Sequence, residues 1–146
     1  MEKHLELLER AKQQIALADH LIYTTYPIVN EQKLLIKILI EIHNSLENMI
    51  NSIIQYNYLY KQITNNLFNL ETFSKLSRKI TNQEEINTIK EIFSLIEKHK
   101  QSKMEFVRKE KFVIMTNHLK IDTINIEKIK YYNQITKNII NKIKFN

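Results

Sequence analysis

Five histidines, His4, His20, His43, His99 and His118, are the side chains best suited to hold a metal or move a proton near neutral pH. No two of them stand three or four residues apart, the spacing that sets a ligand pair on one helical face. Pairing helices antiparallel about a turn at Pro27 does not align them either. His43 falls about eight residues, roughly 12 Å along the axis, out of level with both His4 and His20. His43 is therefore expected at a core margin, and His20 beside Asp19 near a helix end. The carboxylates carry no more chemistry. Glu84 and Glu105 have helix-capping roles open to them, Glu2, Glu6 and Glu9 are spaced as a solvated face, and nothing marks a cleft where two carboxyls would take divergent environments. The chain has no glycine, which removes the P-loop, the dinucleotide fingerprint and the nucleophile elbow together. It has no cysteine, which removes disulfides and thiolate metal sites and suits a reducing cytoplasm. The expectation is a protein without catalytic, cofactor-binding or metal-ligating residues: a non-enzymatic interaction module.

Charge is the remaining signal. The net charge is +6, and the halves differ: residues 1–73 hold 6 of the 22 basic and 8 of the 16 acidic residues, so the excess lies wholly in residues 74–146. The densest segment runs from Lys98 to Lys111. There Lys98, Lys100, Lys103, Arg108, Lys109 and Lys111, with His99, interleave with Met104, Phe106 and Val107. Cations with an exposed aromatic are what contact with phosphates and stacking on bases would need. The six basic residues are the candidate site for RNA or another polyanion. A second explanation stands beside it: Ile, Asn and Lys dominate the chain and only Arg10, Arg78 and Arg108 are arginines, so AT-rich codon usage also generates lysine, and a solvated connection also reads this way.

These residues must be positioned by helices. One compact domain over 1–146 fits the length, and glycine's absence disfavours folds built on tight turns. Leu8, Ala11, Ile15, Ala18 and Ile22 form the stripe of a first helix, from about Glu2 to Tyr23. Pro27 should push Tyr26 out of the helical region and end it, with Asn30 as N-cap of the next helix. The second helix, Glu31 to Ile63, would run about 50 Å. Its stripe of Leu35, Leu39, Ile42, Leu46, Met49 and Ile53 is widened by Ile36, Ile40, Ile50 and Ile54, the pattern of a bundle's central helix. A shorter helix follows with Leu70, Phe73, Leu76 and Ile80 inward. Thr81 with Glu84, and Ser102 with Glu105, are spaced as capping boxes, the first opening a helix over Ile86 to Ile96 and the second a short turn through Met104 to Arg108. Phe112 to Met115, then Thr116 and Asn117, then Leu119 to Ile121 predict a small β-hairpin or an irregular extended segment laid on the bundle. The last helix, Thr123 to Lys144, sets Ile126, Ile129, Ile135, Ile139 and Ile143 against the core, and Lys128, Lys130, Lys137 and Lys142 opposite. The fold class is all-α: four to five main helices, with at most a hairpin near 112–121. The most apolar run, Leu34 to Ile42, is interrupted by Lys37 and Glu41 and is far short of the ~20 residues of a membrane span; Met1 to Arg10 lacks the apolar stretch of a signal peptide. A cytoplasmic location without membrane contact is expected. Long apolar helices also suit a homodimer or another protein partner.

Two groups of residues resemble small uncharacterised helical proteins of archaeal genomes. One is Ala18-Asp19-His20, Thr25-Tyr26-Pro27 and Lys33-Leu34-Leu35, continued by Tyr58-Leu59-Tyr60-Lys61. The other is Met104 to Lys109 followed by Lys111-Phe112-Val113-Ile114. The helical layout also resembles the HEPN superfamily, all-α domains that include ribonucleases and partners of nucleotidyltransferases. That resemblance implies an all-α bundle and, as the alternative function, a ribonuclease or a nucleotidyltransferase accessory. Its catalytic pattern, Arg followed after four to six residues by His, is absent. Arg10 has Ile15, Ala16 and Leu17 there, Arg78 has Gln83, Glu84 and Glu85, and Arg108 has Val113, Ile114 and Met115.

Overall fold

In the computed structural model, which describes residues 2–117 and 120–145, 69% of the chain is helical. The elements in order are α1 (Lys3–His20), α2 (Tyr26–Val29), α3 (Lys33–Leu59), α4 (Leu70–Leu76), α5 (Gln83–Gln101), β1 (Met104–Arg108), β2 (Lys111–Met115), β3 (Ile121–Ile124) and α6 (Ile126–Lys142). The all-α bundle expected from the apolar stripes is the fold, with a small antiparallel sheet on it.

α3 is the axis. It packs on α1, α4, α5 and α6, and its Leu35, Ile38, Leu39, Ile42, Leu46, Met49, Ile50 and Ile54 are sealed from solvent. Small residues let α1 come close: Ala11 and Ala18 are fully buried, and Ser45 Oγ donates to the Ala11 carbonyl at 2.7 Å. A hydroxyl buried at a helix crossing is thereby satisfied rather than stranded.

The first helix does not stop before Pro27. A π-helical turn, Leu21–Thr25, carries it into α2, and Tyr26 is helical at φ −58°, ψ −45°. A proline ring normally collides with the carbonyl four residues back, and the wide turn moves that carbonyl away. Buried Ile22 and Tyr26 hold the detour in place. Asn30 ends this helix instead of starting the next, in the left-handed region at φ 51°, ψ 41°, which Asn tolerates better than other residues with a side chain.

α3 ends at Leu59, four residues before the expected Ile63, and the cause is local. Lys61 takes φ 59°, its N–H reaches the Tyr58 carbonyl at 3.1 Å, and the Gln62 N–H reaches the Asn57 carbonyl at 2.8 Å. This is a Schellman closure with lysine where glycine is usual.

α4 is capped by Asn69, whose Oδ1 accepts from Glu71 N and Thr72 N. The box that opens α5 is Asn82 with Glu85, one residue beyond the expected Thr81 and Glu84. Asn82 Oδ1 accepts from Glu85 N at 2.8 Å, and Glu85 Oε1 from Asn82 N at 3.0 Å. Thr81 instead donates to the Ser77 carbonyl, and Glu84 accepts from Tyr131 Oη at 2.6 Å. The sequence offers both registers; burial of Glu85 against Lys142 selects the inner one.

The second box, Ser102 with Glu105, does not form. Ser102 is extended at the end of α5 and Met104–Arg108 is a strand, because its residues pair with Lys111–Met115 across the turn at Lys109 and Glu110. The expected hairpin exists as β2 and β3, closed by Thr116 N donating to the Lys120 carbonyl at 3.0 Å, with β1 added as a third strand. Leu119, expected in its second strand, and His118 lie outside the described residues. Thr123 belongs to β3, so the last helix starts later than expected, capped by Asn125, whose Oδ1 accepts from Lys128 N at 2.8 Å. One sheet face, with Phe112, Ile114 and Ile124, is buried in the core, and β2 packs on α3 and α5.

Candidate nucleic-acid interface

Strand pairing decides which of the basic residues meet. Side chains alternate across a sheet, so with Phe112 and Ile114 inward, Lys111, Val113 and Met115 point outward, and so do their partners Arg108, Phe106 and Met104 on β1 and Thr123 and Ile121 on β3. Arg108, Lys109 and Lys111 thus surround a depression of about 260 Å³ together with Phe106, Val113, Ile121 and Thr123. Arg108 and Lys111 face each other directly across the strands. Like charges at such a position repel, and among the described residues no carboxylate pairs with Arg108, Lys109 or Lys111. Glu110, at the turn, is the acidic residue closest in sequence. Lys109 makes the turn in the left-handed region, at φ 56°.

The other three candidates sit elsewhere. Lys98 and Lys100 lie about 200° apart around α5. Lys98 Nζ reaches Asp122 at 3.2 Å, whereas Lys100 lies close enough to His43 to disfavour its protonation. Lys103 is exposed at the far end of β1, its N–H donating to the Met115 carbonyl at 2.9 Å; Lys120, exposed just before β3, lies at the same end. The interleaved sequence 98–111 is therefore a cluster of three at the hairpin tip, a cation at the opposite sheet end, and two helix residues facing away from each other. His99 Nδ1 lies 2.6 Å from Glu105 Oε2 and ties α5 to β1.

The lysine face of α6 is largely spent on the fold. Lys137 reaches Asp19 at 2.9 Å, Lys142 binds Glu85 at 2.9 and 3.1 Å, Lys130 lies 5.6 Å from the centre of the Tyr23 ring, and Lys128 donates to the Thr123 carbonyl. Two of these four lysines thus neutralise carboxylates of the bundle, and the other two are held by an aromatic ring and a backbone carbonyl.

The remaining titratable groups make no acid–base constellation. His43 is held below the usual imidazole value, chiefly by burial, with Glu47 and a hydrogen bond to Asn44 pulling the other way and Lys100 adding to the depression; its ring meets Phe93 edge-on at 4.6 Å. His4 is buried between Tyr56 and Phe145. Tyr132 is raised well above the ordinary phenol range, first by burial and then by Glu91. Among the described residues no cluster of His, Asp and Glu could hold a metal ion. An open cleft of about 760 Å³ lies between the start of α1 and the end of α3, lined by Lys3, His4, Tyr58, Leu59 and Lys61 among others. Among the described residues no helix is long and apolar enough to cross a membrane.

Sequence reasoning named the tip cations and Phe106 but not Val113, Ile121 and Thr123 beside them. Residues 112–115 are a contiguous apolar run without period-two alternation, so which of them face outward becomes legible only once β1 and β3 are paired to β2. Comparison with known protein families, with curated proteins and with solved structures finds no match.

Proposed function

We propose that this chain is a non-enzymatic interaction module that binds RNA through the tip of its β1–β2 hairpin. The observation that carries the reading is the convergence of Arg108, Lys109 and Lys111 around one depression with Phe106, without a carboxylate partner among the described residues. Mutual repulsion of Arg108 and Lys111 is relieved when a phosphate sits between them, so binding is favoured beyond the two separate attractions. The absence of cysteine suits action in the cytoplasm.

The test is titration of labelled RNA with wild type and with the charge reversal Arg108→Glu, Lys109→Glu at low salt. Wild type binds and the reversal does not; equal affinities overturn the reading. A second reading, self-association, is favoured by the apolar residues exposed along 58–68: Tyr58, Leu59, Tyr60, Leu67 and Phe68. Light scattering separates it, because a dimer with no RNA affinity supports that reading alone. The HEPN resemblance keeps a ribonuclease or nucleotidyltransferase accessory as the rival, and RNA cleavage that a single polar substitution abolishes would establish the ribonuclease.

A further inference from the structure

The outer sheet face is layered along its strands. Nearest the tip is the charged row, Arg108 with Lys111. Next comes an aromatic row, in which half-buried Phe106 lies opposite Val113 and Val113 opposite half-buried Thr123; Val113 itself is 3% exposed, covered between them, so Phe106 is the ring this row offers. Then comes an apolar row, in which Met104 and Ile121 flank Met115 and are each 57% exposed. Lys103 and Lys120, exposed at the far end, each stand one residue from an outward side chain and so fall, by the same alternation, outside this face. Rows two residues apart are separated by about 6.6 Å, so the tip cations border an apolar and aromatic floor.

Such a floor is the wrong surface for a duplex. A double helix keeps its bases stacked inside and presents phosphates outward, and phosphates laid over Met104, Phe106 and Ile121 would lose water without gaining a partner. Unpaired bases have the opposite requirement, since their faces are apolar and stack on an aromatic ring whatever their identity. We infer that the outer face takes an unpaired nucleotide strand, a base stacking on Phe106 while its phosphates reach Arg108 and Lys111 at the tip. This rests on the RNA-binding reading above and adds to it the strandedness of the ligand and the residue that senses it.

The experiment uses the whole chain and a labelled oligouridylate of about 12 nucleotides, within the range of site sizes that single-strand binders take. Its duplex with oligoadenylate and inorganic polyphosphate are the two comparison probes. Wild type binds the single strand more tightly than the duplex. Phe106→Leu weakens the oligouridylate about tenfold, the low end of what loss of one stacked base produces. The same variant leaves polyphosphate affinity unchanged, and Phe106→Tyr retains both. Upfield shifts of the uracil H5 and H6 signals on binding wild type report stacking without any substitution, so the inference stays testable if Phe106→Leu folds poorly. Duplex bound as tightly as single strand, oligouridylate affinity unchanged in Phe106→Leu, or absent upfield shifts each overturn the stacking while leaving the charged tip in place. Failure of wild type to bind any of the three probes overturns the RNA-binding reading with it.

Discussion

Cations at the hairpin tip and lysines on α6 contribute equally to net charge, yet the proposed function gives them opposite work, and paired variants separate the two. The first variant replaces Arg108 with Ser, Lys109 with Asn and Lys111 with Ser, Asn being chosen for the left-handed backbone at 109. The second replaces Lys137 and Lys142 with Met. If the three tip cations each neutralise one phosphate, about 0.7 counterions released per single-strand contact give a log–log salt slope near −2, and a fourfold rise in salt weakens wild type about 20-fold. The tip variant should lose that slope and keep its melting temperature. The α6 variant should do the reverse. Glu85, 3% exposed, loses Lys142 and keeps only the Asn82 N–H among the contacts described; because Lys142 is 43% exposed, solvent screens the pair. A charge-assisted bond discounted for that screening is worth about 1–2 kcal/mol. Asp19 loses Lys137, and with both side chains 36% exposed that pair adds about 0.5 kcal/mol. The sum, about 2 kcal/mol, corresponds to a fall of about 4–8 °C in Tm for a chain of this size. Fluorescence anisotropy at graded salt and thermal unfolding by circular dichroism read the two effects. A tip variant that keeps the wild-type salt slope refutes the assignment, and so does an α6 variant that loses RNA affinity without melting earlier.

Two further expectations follow from backbone and burial. Lys61→Gly should raise stability by about 0.5–1 kcal/mol, the relief of a left-handed lysine exceeding the chain entropy that glycine adds; a lower midpoint in urea would show that the lysine side chain supports the loop. For His43, the folded state resists the proton that the unfolded chain accepts near pH 6.5. Stability is therefore fully present above that value and is lost as pH falls through it toward the depressed folded value. Melting temperatures at graded pH should fall more steeply for wild type than for His43→Gln, and parallel curves would show that burial of the imidazole does not govern this range.

What could be read from the sequence follows the range over which each signal acts. The stripes of α3, α5 and α6 were legible because one helix face against a core repeats in the chain itself. Errors arose where a local rule met a nonlocal override. Pro27 should have ended the first helix, but Ile22 and Tyr26, pinned in the core, hold a π turn that accommodates it. Thr81-x-x-Glu84 and Asn82-x-x-Glu85 are equally good boxes, and Lys142, 57 residues away, selects the second. Ser102-x-x-Glu105 was a third, and pairing with β2 overrode it. The tip cluster was half visible: its cations lie within four residues, whereas Ile121 and Thr123 join through a register no local rule supplies.

Absence of glycine bears on how much weight the tip can carry. Asn30, Lys61 and Lys109 all adopt positive φ, and strained backbone often marks function. Here that inference fails by comparison, because Asn30 and Lys61 terminate helices and Lys109 turns a hairpin, jobs that glycine does elsewhere. A chain rich in lysine and asparagine and without glycine offers these residues for the turns, and the fold supplies the geometry. Neither explains the charged row beside it. A lysine-rich composition does not by itself place Arg108, one of three arginines in the chain, directly opposite Lys111 on the outer face. Elsewhere Lys98, Lys137 and Lys142 are matched with Asp122, Asp19 and Glu85. At the tip, repulsion between Arg108 and Lys111 is left standing among the described residues, and under the proposed function an anion from outside the chain would supply what Asp122, Asp19 and Glu85 supply within it.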